Sequence, residues 1–530
     1  MKVVIAGAGV AGLEAALALS ELAGDLVDIE LLSPDDEFVY RPMLVAEPFG
    51  VAEVLKIELA RVVADTGAHQ TRDVLVSVDP AAQRVTTGSG ETLDYDALLV
   101  ALGAGPVASV PGTLTFSGEA ERRRFADLLQ VLGRRKMRRL AFVVPQGTSW
   151  SIAAYELALL TAAERDTRRL EAVEIVLITH EEGPLDLFGP AASQMVAARL
   201  EEAGVSLRLS TAVTDFDDGV LRTASGESLT ADAAVALPAL QVRSLPGLPQ
   251  RQNGFVQTDT AMHVVGLENV WAAGDATWFP IKQGGLAAQQ ADAAARSIAA
   301  RAGAHVPIEA FQPVLRGVMI TGGVPDFLRS ARADRGSDAA TAGDELWSPA
   351  TKIAAKYLGP YIARASGAEV SPFVDRVPAG DLDADGGAQQ AAVTLVLAAA
   401  NGDAAVGDYE GALGWLSFVE QLNLVIPPEY VARRHEWRDR LQPGLEPDAA
   451  TKRIDPSFAG AAAALSDLQK RVGWLREIEN RTVGEMREHL STLDEGMSHL
   501  VALSRRTGIL DAPRDSQRAD SKRGRSKKES

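Results

Sequence analysis

The sequence predicts an α/β protein: two Rossmann-like units, each a parallel sheet wrapped in helices, followed by a small cap and a helical C-terminal extension. Three observations carry that expectation. Through residue 300, short β-branched runs alternate with Ala/Leu-rich helical stretches, the pattern of parallel sheets. The chain opens on VVIAGAGVAGLEAALAL, a strand that passes through a glycine-rich turn into a helix. After residue 391 the strand signal ends and apolar residues recur at helical spacing.

Length and composition narrow the possibilities. A chain of 530 residues is too long for one hydrophobic core, so several domains are expected. The net charge of −18 argues against nucleic acid as a partner. There is no cysteine, which excludes disulfide frameworks, thiolate metal sites, thiol nucleophiles and dithiol relays together. The seven histidines show no metal-ligand spacing, so no metal site is expected. The first strand begins at Lys2, with no room for a signal peptide before it. The longest nearly pure apolar run, AAVTLVLAAA at 391–400, is about half of a bilayer span. The expectation is a cytoplasmic protein, at most peripheral on the inner face of a membrane.

The elements follow in order. VVIAG, VDIELLS, RVTT and YDALLVALGA are read as one strand set, to which NVWAAGDA at 269–276 returns. LAFVVP, VEIVLIT, VSLRL and AAVALPA form a second set. Residues 1–112 and 248–330 therefore make a first, discontinuous domain, and 113–247 a second. A cap with an amphipathic helix spans 331–378, a helical extension 391–445, coiled-coil-like helices 455–510, and a disordered basic tail 511–530. Segments 331–345 and 379–390 read as solvated linkers. In the cap, Ser348 as N-cap with Pro349 behind it predicts a helix start, and Gly359-Pro360 its end or a kink. The aromatic side of that helix suits a membrane interface, or equally a surface packed on the first domain or on a second copy. The 455–510 helices offer a surface for self-association or for a partner protein.

Gly7, Gly9 and Gly12 satisfy G-x-G-x-x-G between a strand and a helix, the arrangement of a dinucleotide-binding turn. The first glycine permits the tight turn, the second lets backbone approach a pyrophosphate, and the third allows close helix–strand packing. An acidic residue at the end of the second strand would hold the ribose. Here VDIELLSPDD ends at Ser33, with Glu30 inside the strand and Asp35 and Asp36 beyond it. The ribose contact thus falls to a hydroxyl.

A second signature lies in NVWAAGDATWFPIKQGGLAAQQADAAARSIA. With the N-terminal turn and YDALLVALGA, it resembles the FAD-dependent pyridine nucleotide-disulfide oxidoreductase superfamily over roughly residues 1–365. The nearest likeness is to sulfide:quinone oxidoreductases and type II NADH dehydrogenases. The resemblance implies an oxidoreductase with FAD as cofactor. It implies that the Gly274-Asp275 pair holds the flavin ribityl chain, and that Gly285 and Leu286 set a helix N-terminus at the flavin pyrimidine edge. Lys282 would add a cation there and raise the flavin potential. Gly103 matches the glycine of the family's Ala-Thr-Gly turn, with Leu102 in place of the threonine. Arg41, in FVYRPM, would pair with the pyrophosphate.

In NADH-using relatives a second strand–turn–helix carries its own glycine fingerprint. The matching turn here reads VVPQGTSWS at 143–151 and keeps only Gly147. Pro145 lacks an N–H donor, and Trp150 sets an indole where a phosphate needs open backbone. Binding of NAD(P)H through Thr148 and Ser149 stays open but is not favoured. The expected activity is electron transfer through bound FAD, from an unidentified small-molecule donor to a quinone or similar small carrier. In that reading the cap helix stands beside a quinone channel. The alternatives are an NAD(P)H-dependent type II dehydrogenase or ferredoxin-reductase-like enzyme, and a non-catalytic flavoprotein subunit with a partner-binding helical arm.

Overall fold

The strand Lys2–Ala6 is apolar on both faces from Val3 onward, so it needs cover on two sides. It receives that cover at the centre of a five-stranded parallel sheet. The order is Val270–Ala272, Ala97–Val100, Lys2–Ala6, Asp28–Leu32 and His69–Thr71. The helices Val10–Ala23 and Gly284–Arg301 pack against each other on this sheet. Both are rich in buried alanine, and small side chains let helix axes lie close. A second parallel sheet runs Leu114–Thr115, Ala233–Ala236, Arg139–Val144, Glu174–Thr179 and Val205–Arg208. The helix Ile152–Thr167 follows its central strand, as the strand–turn–helix reading required.

The computed structural model describes residues 1–441 apart from 133–136, 149, 171, 252, 331–338, 369–371, 376–395, 398 and 422–425. The coiled-coil-like helices of 455–510, the tail of 511–530, the linker of 379–390 and the end of the helical extension lie outside the described residues. Among the described residues, no helix is long and apolar enough to cross a membrane.

Three local expectations are corrected. RVTT does not join the first parallel sheet. Arg84–Thr87 is the middle strand of an antiparallel meander with Leu75–Asp79 and Thr92–Asp94. Its alternating burial is that of a strand with one face in water, which β-branched composition alone does not separate from a parallel core strand. Residues 339–342 are not linker either: Ala339–Ala342 forms the edge of an antiparallel sheet with Asp326–Ser330 and Leu315–Met319.

The third correction concerns the cap helix. Trp347–Ser348 pairs as a short strand with Val374–Asp375, and the helix begins only at Leu358. Gly359-Pro360 stands in its first turn, where a missing N–H costs nothing, and so opens the helix instead of ending it. What fixes the start is a buried carboxylate from the other end of the chain. Glu14 accepts the N–H groups of Lys356 at 2.9 Å, Tyr357 at 3.1 Å and Leu358 at 2.6 Å. Residues Leu358–Ala363 are all buried, so the helix is packed on the body and has no apolar face left for a bilayer.

The two helices expected between 407 and 440 are Tyr409–Gln421 and Pro428–Leu441. Trp415 of the first stacks on Trp278 with ring centroids 3.5 Å apart and an 8° interplanar angle. Asp403 nearby pairs with Arg251 at 3.3 Å.

Burial pushes the Glu14 carboxyl from its ordinary 4.5 up to about 7, against the N–H groups that hold it down. The folded state therefore binds more protons than the unfolded state across that window. Stability is fully present below the ordinary value and is lost as pH rises through about 7. Urea-unfolding midpoints should fall over that range in the wild type and change less in Glu14→Gln. Glu14→Ala, which orphans buried donors, should cost about 3 kcal/mol.

Candidate active site

A cleft of about 1120 Å³ opens at the ends of the first sheet's strands and reaches the helix Ile152–Thr167 beside the second sheet and the cap. Its geometry begins at the N-terminal turn. Gly7 sits at φ +110°, and a Cβ there would lie 2.4 Å from the Ala101 carbonyl oxygen. At Gly12 a Cβ would lie 1.9 Å from the Gly7 carbonyl oxygen. At Gly9 it would meet nothing within 4 Å, because that backbone faces the open cleft. The helix beginning at Val10 has no side-chain cap, so its N-terminal N–H groups are left for whatever enters.

Most of the other positions singled out from the sequence gather around the same space. Ser33 is buried on the cleft wall, its Oγ accepting the Asp35 N–H at 3.3 Å. Asp35 lines the cleft as well, whereas Glu30 is engaged within the sheet by the Thr71 hydroxyl at 2.7 Å. Arg41, Gly103, Gly274, Asp275 and Lys282 are all cleft residues. The turn at Gly274 is held at φ +81°, and its N–H donates to Gln290 Oε1 at 2.7 Å. Burial pushes the Asp275 carboxyl above the usual range, while Lys282 and Arg41 pull it back. Burial lowers Lys282 to about 7, against the pull of Asp275. Its Nζ donates to the Thr277 carbonyl.

Gly285 and Leu286 do not line the cleft; Gln283, Gly284 and Ala287 do. The Leu286 N–H is already taken by the side chain of Gln283, which caps the helix at 2.8 Å.

Sequence reasoning missed a buried ion pair in the cleft wall. Lys352 Nζ lies 2.7 Å from Glu156 Oε1 and donates to Glu156 Oε2 at 2.8 Å and to the Pro42 carbonyl at 2.8 Å. Glu156 Oε1 also accepts the Ile320 N–H at 2.9 Å. Burial raises the Glu156 carboxyl, and Lys352 opposes that shift. The signal was present: Glu156 is a lone charge among the buried apolar residues of YELALL. Glu14 is the same kind of residue in the first helix.

The altered second turn is closed from within. Thr148 Oγ1 donates to the Pro145 carbonyl at 2.7 Å, and Trp150 packs edge-on against Phe188 at 5.6 Å. Glu181 lies just beyond the second strand of the second sheet, where a dinucleotide fold keeps its ribose-binding acid. Here one of its oxygens accepts from the Ser151 hydroxyl at 2.7 Å, and the other from Tyr155 at 2.5 Å and Thr179 at 2.8 Å. The acid is spent stapling the turn.

The model of the pyridine nucleotide-disulphide oxidoreductase family matches residues 1–297, more than half of the chain. The chain belongs to that family. It is an FAD-dependent oxidoreductase. An NADH dehydrogenase-like protein of Mycobacterium tuberculosis is 29% identical over 297 residues, 52% of this chain and 72% of the relative. The type II NADH:quinone oxidoreductase of the same species is 27% identical over 313 residues, covering 52% and 66%. The solved sulfide:quinone oxidoreductase of Aquifex aeolicus superposes with a TM-score of 0.58 over 64% of this chain and 87% of its own, at 20% identity. That likeness is one of fold.

The glycines give a paired test. Gly9→Val adds a side chain whose Cβ meets no protein atom within 4 Å, so it should fold normally yet lose most of its FAD on desalting, read by flavin absorbance. Gly12→Ala drives a methyl into backbone and should instead lower the free energy of unfolding, by about 2 kcal/mol or more, read from urea unfolding.

Proposed function

We propose that the large cleft holds FAD and that the enzyme passes electrons from a small donor other than NAD(P)H to a quinone or similar small carrier. The observation that carries this reading is the composition of one cleft. It joins an open glycine turn and an uncapped helix N-terminus to the buried Glu156–Lys352 pair. Bound there, FAD supplies two-electron chemistry that no side chain of a cysteine-free protein offers.

Gly9 and the helix N-terminus would take the pyrophosphate, with Arg41 as its counter-cation. Ser33, with Asp35 beside it, would hold the ribose, and the Gly274-Asp275 turn the ribityl hydroxyls. Gly103 leaves backbone open on the opposite wall. Lys282 would set the charge next to Asp275. A quinone takes up two protons with its two electrons. Lys352 Nζ, an ammonium held by the Glu156 carboxylate on the cleft wall, is placed to donate one of them, with the second proton and the one that recharges Lys352 taken from water. The relative named as a quinone oxidoreductase supports the acceptor.

The closed second turn, with both Glu181 oxygens engaged, supports a donor other than a nicotinamide dinucleotide. NADH as donor is the second reading, favoured by relatives named as NADH dehydrogenases.

Anaerobic mixing separates the two. NADH should bleach the 450 nm flavin band slowly or not at all, and rapid bleaching would overturn the reading of Pro145–Trp150. Dithionite-reduced protein should be reoxidised by a short-chain ubiquinone. Lys352→Met should slow that step by about 10². If no quinone reoxidises the flavin, the proposed acceptor is wrong.

A further inference from the structure

Lys282 lines two cavities. One is the large cleft; the other has a volume of about 300 Å³, room for about ten waters at liquid density. The walls of the smaller cavity come from places far apart in sequence. Gly147 belongs to the altered second turn, Arg251 and Phe255 to the loop before the returning strand, and Asp403 and Trp415 to the C-terminal helices. The last two stand beyond residue 297, where the family match ends. This cavity is therefore completed by the chain's own extension.

Its chemistry suits a flat anion. The Arg251 side chain, 8% exposed, lies 4.9 Å over the Trp278 ring and pairs with Asp403 at 3.3 Å. Lys282 Nζ stands 4.0 Å over the Phe255 ring. Two basic side chains thus line the space against one carboxylate, and that carboxylate also accepts the Trp415 Nε1–H at 2.9 Å. Trp278 and Trp415 stack on each other, which covers one face of each, and with Phe255 they give the lining aromatic surface beside the basic groups. Aromatic walls favour a flat apolar body, and a guanidinium recognises a carboxylate with charge-assisted hydrogen bonds.

We propose that the smaller cavity binds a small aromatic carboxylate, seated between Arg251 and Lys282 at the edge of the cofactor cleft. The proposal rests on the flavin reading only for where the ligand lies relative to the cofactor; its binding is measured without reference to electron transfer.

The test is calorimetric titration of the full-length yellow protein with benzoate, and with benzamide as its uncharged isostere. Benzoate should bind saturably and benzamide at least about tenfold more weakly. Two variants then move affinity in opposite directions. Arg251→Gln removes the cation and should weaken benzoate about tenfold or more. Asp403→Asn keeps an acceptor for Trp415 but removes the competing charge, and should tighten benzoate several-fold. Opposite shifts are not produced by a merely structural role or by partial misfolding. No binding at tens of millimolar, equal affinity for benzamide, or shifts of the same sign in both variants would overturn the proposal. Flavin absorbance of the same samples reports separately on the cofactor: colourless protein that still binds benzoate would sink the flavin assignment alone.

Discussion

At Gly12 the first helix lies so close to the turn feeding it that a methyl group would sit 1.9 Å from the Gly7 carbonyl. Most of the site depends on that approach. It aims the helix N-terminus at the cleft. It seats the same helix against Gly284–Arg301, whose Gln290 holds the Gly274 turn in its left-handed conformation. Two residues further along, Glu14 reaches across to the helix of the cap. A single glycine contact therefore sets the relation among the dinucleotide turn, the Gly-Asp turn and the cap.

The second organising feature is the use of buried charge. Each instance leaves its group engaged, because an ion or carboxylate taken from water without partners costs several kcal/mol. Glu14 is engaged by backbone N–H groups, and Glu156 by Lys352 and the Ile320 amide. Glu181 is only half-buried, and hydroxyls engage both of its oxygens. The three differ in what they leave available. Glu14 and Glu181 are turned inward and lock elements together. The Glu156–Lys352 pair stands on the wall of the cleft.

The altered turn and the C-terminal extension belong to the same account. Pro145 and Trp150 remove the phosphate cradle, while strand and helix remain packed and continue to support the sheet. Gly147 of that turn then borders a small cavity whose far wall is supplied by Asp403 and Trp415.

The sequence by itself determined the two parallel sheets, the glycine turn, the Gly274-Asp275 signature and the damaged second turn. All of these are local: a period, a glycine spacing or a missing N–H is readable within a dozen residues. Only the tertiary structure decided what depends on distant partners. The cap helix starts at Leu358 and not after Pro349 because a carboxylate 344 residues earlier receives its first N–H groups. RVTT is antiparallel because of its hydrogen-bonding neighbours, which composition does not name. Glu156 looked like one polar residue on an apolar helix until Lys352, 196 positions away, came to lie against it. The physical reason is common to all three: hydrogen bonds and ion pairs are satisfied by proximity in space, and sequence pattern encodes only the part of proximity that is also close along the chain.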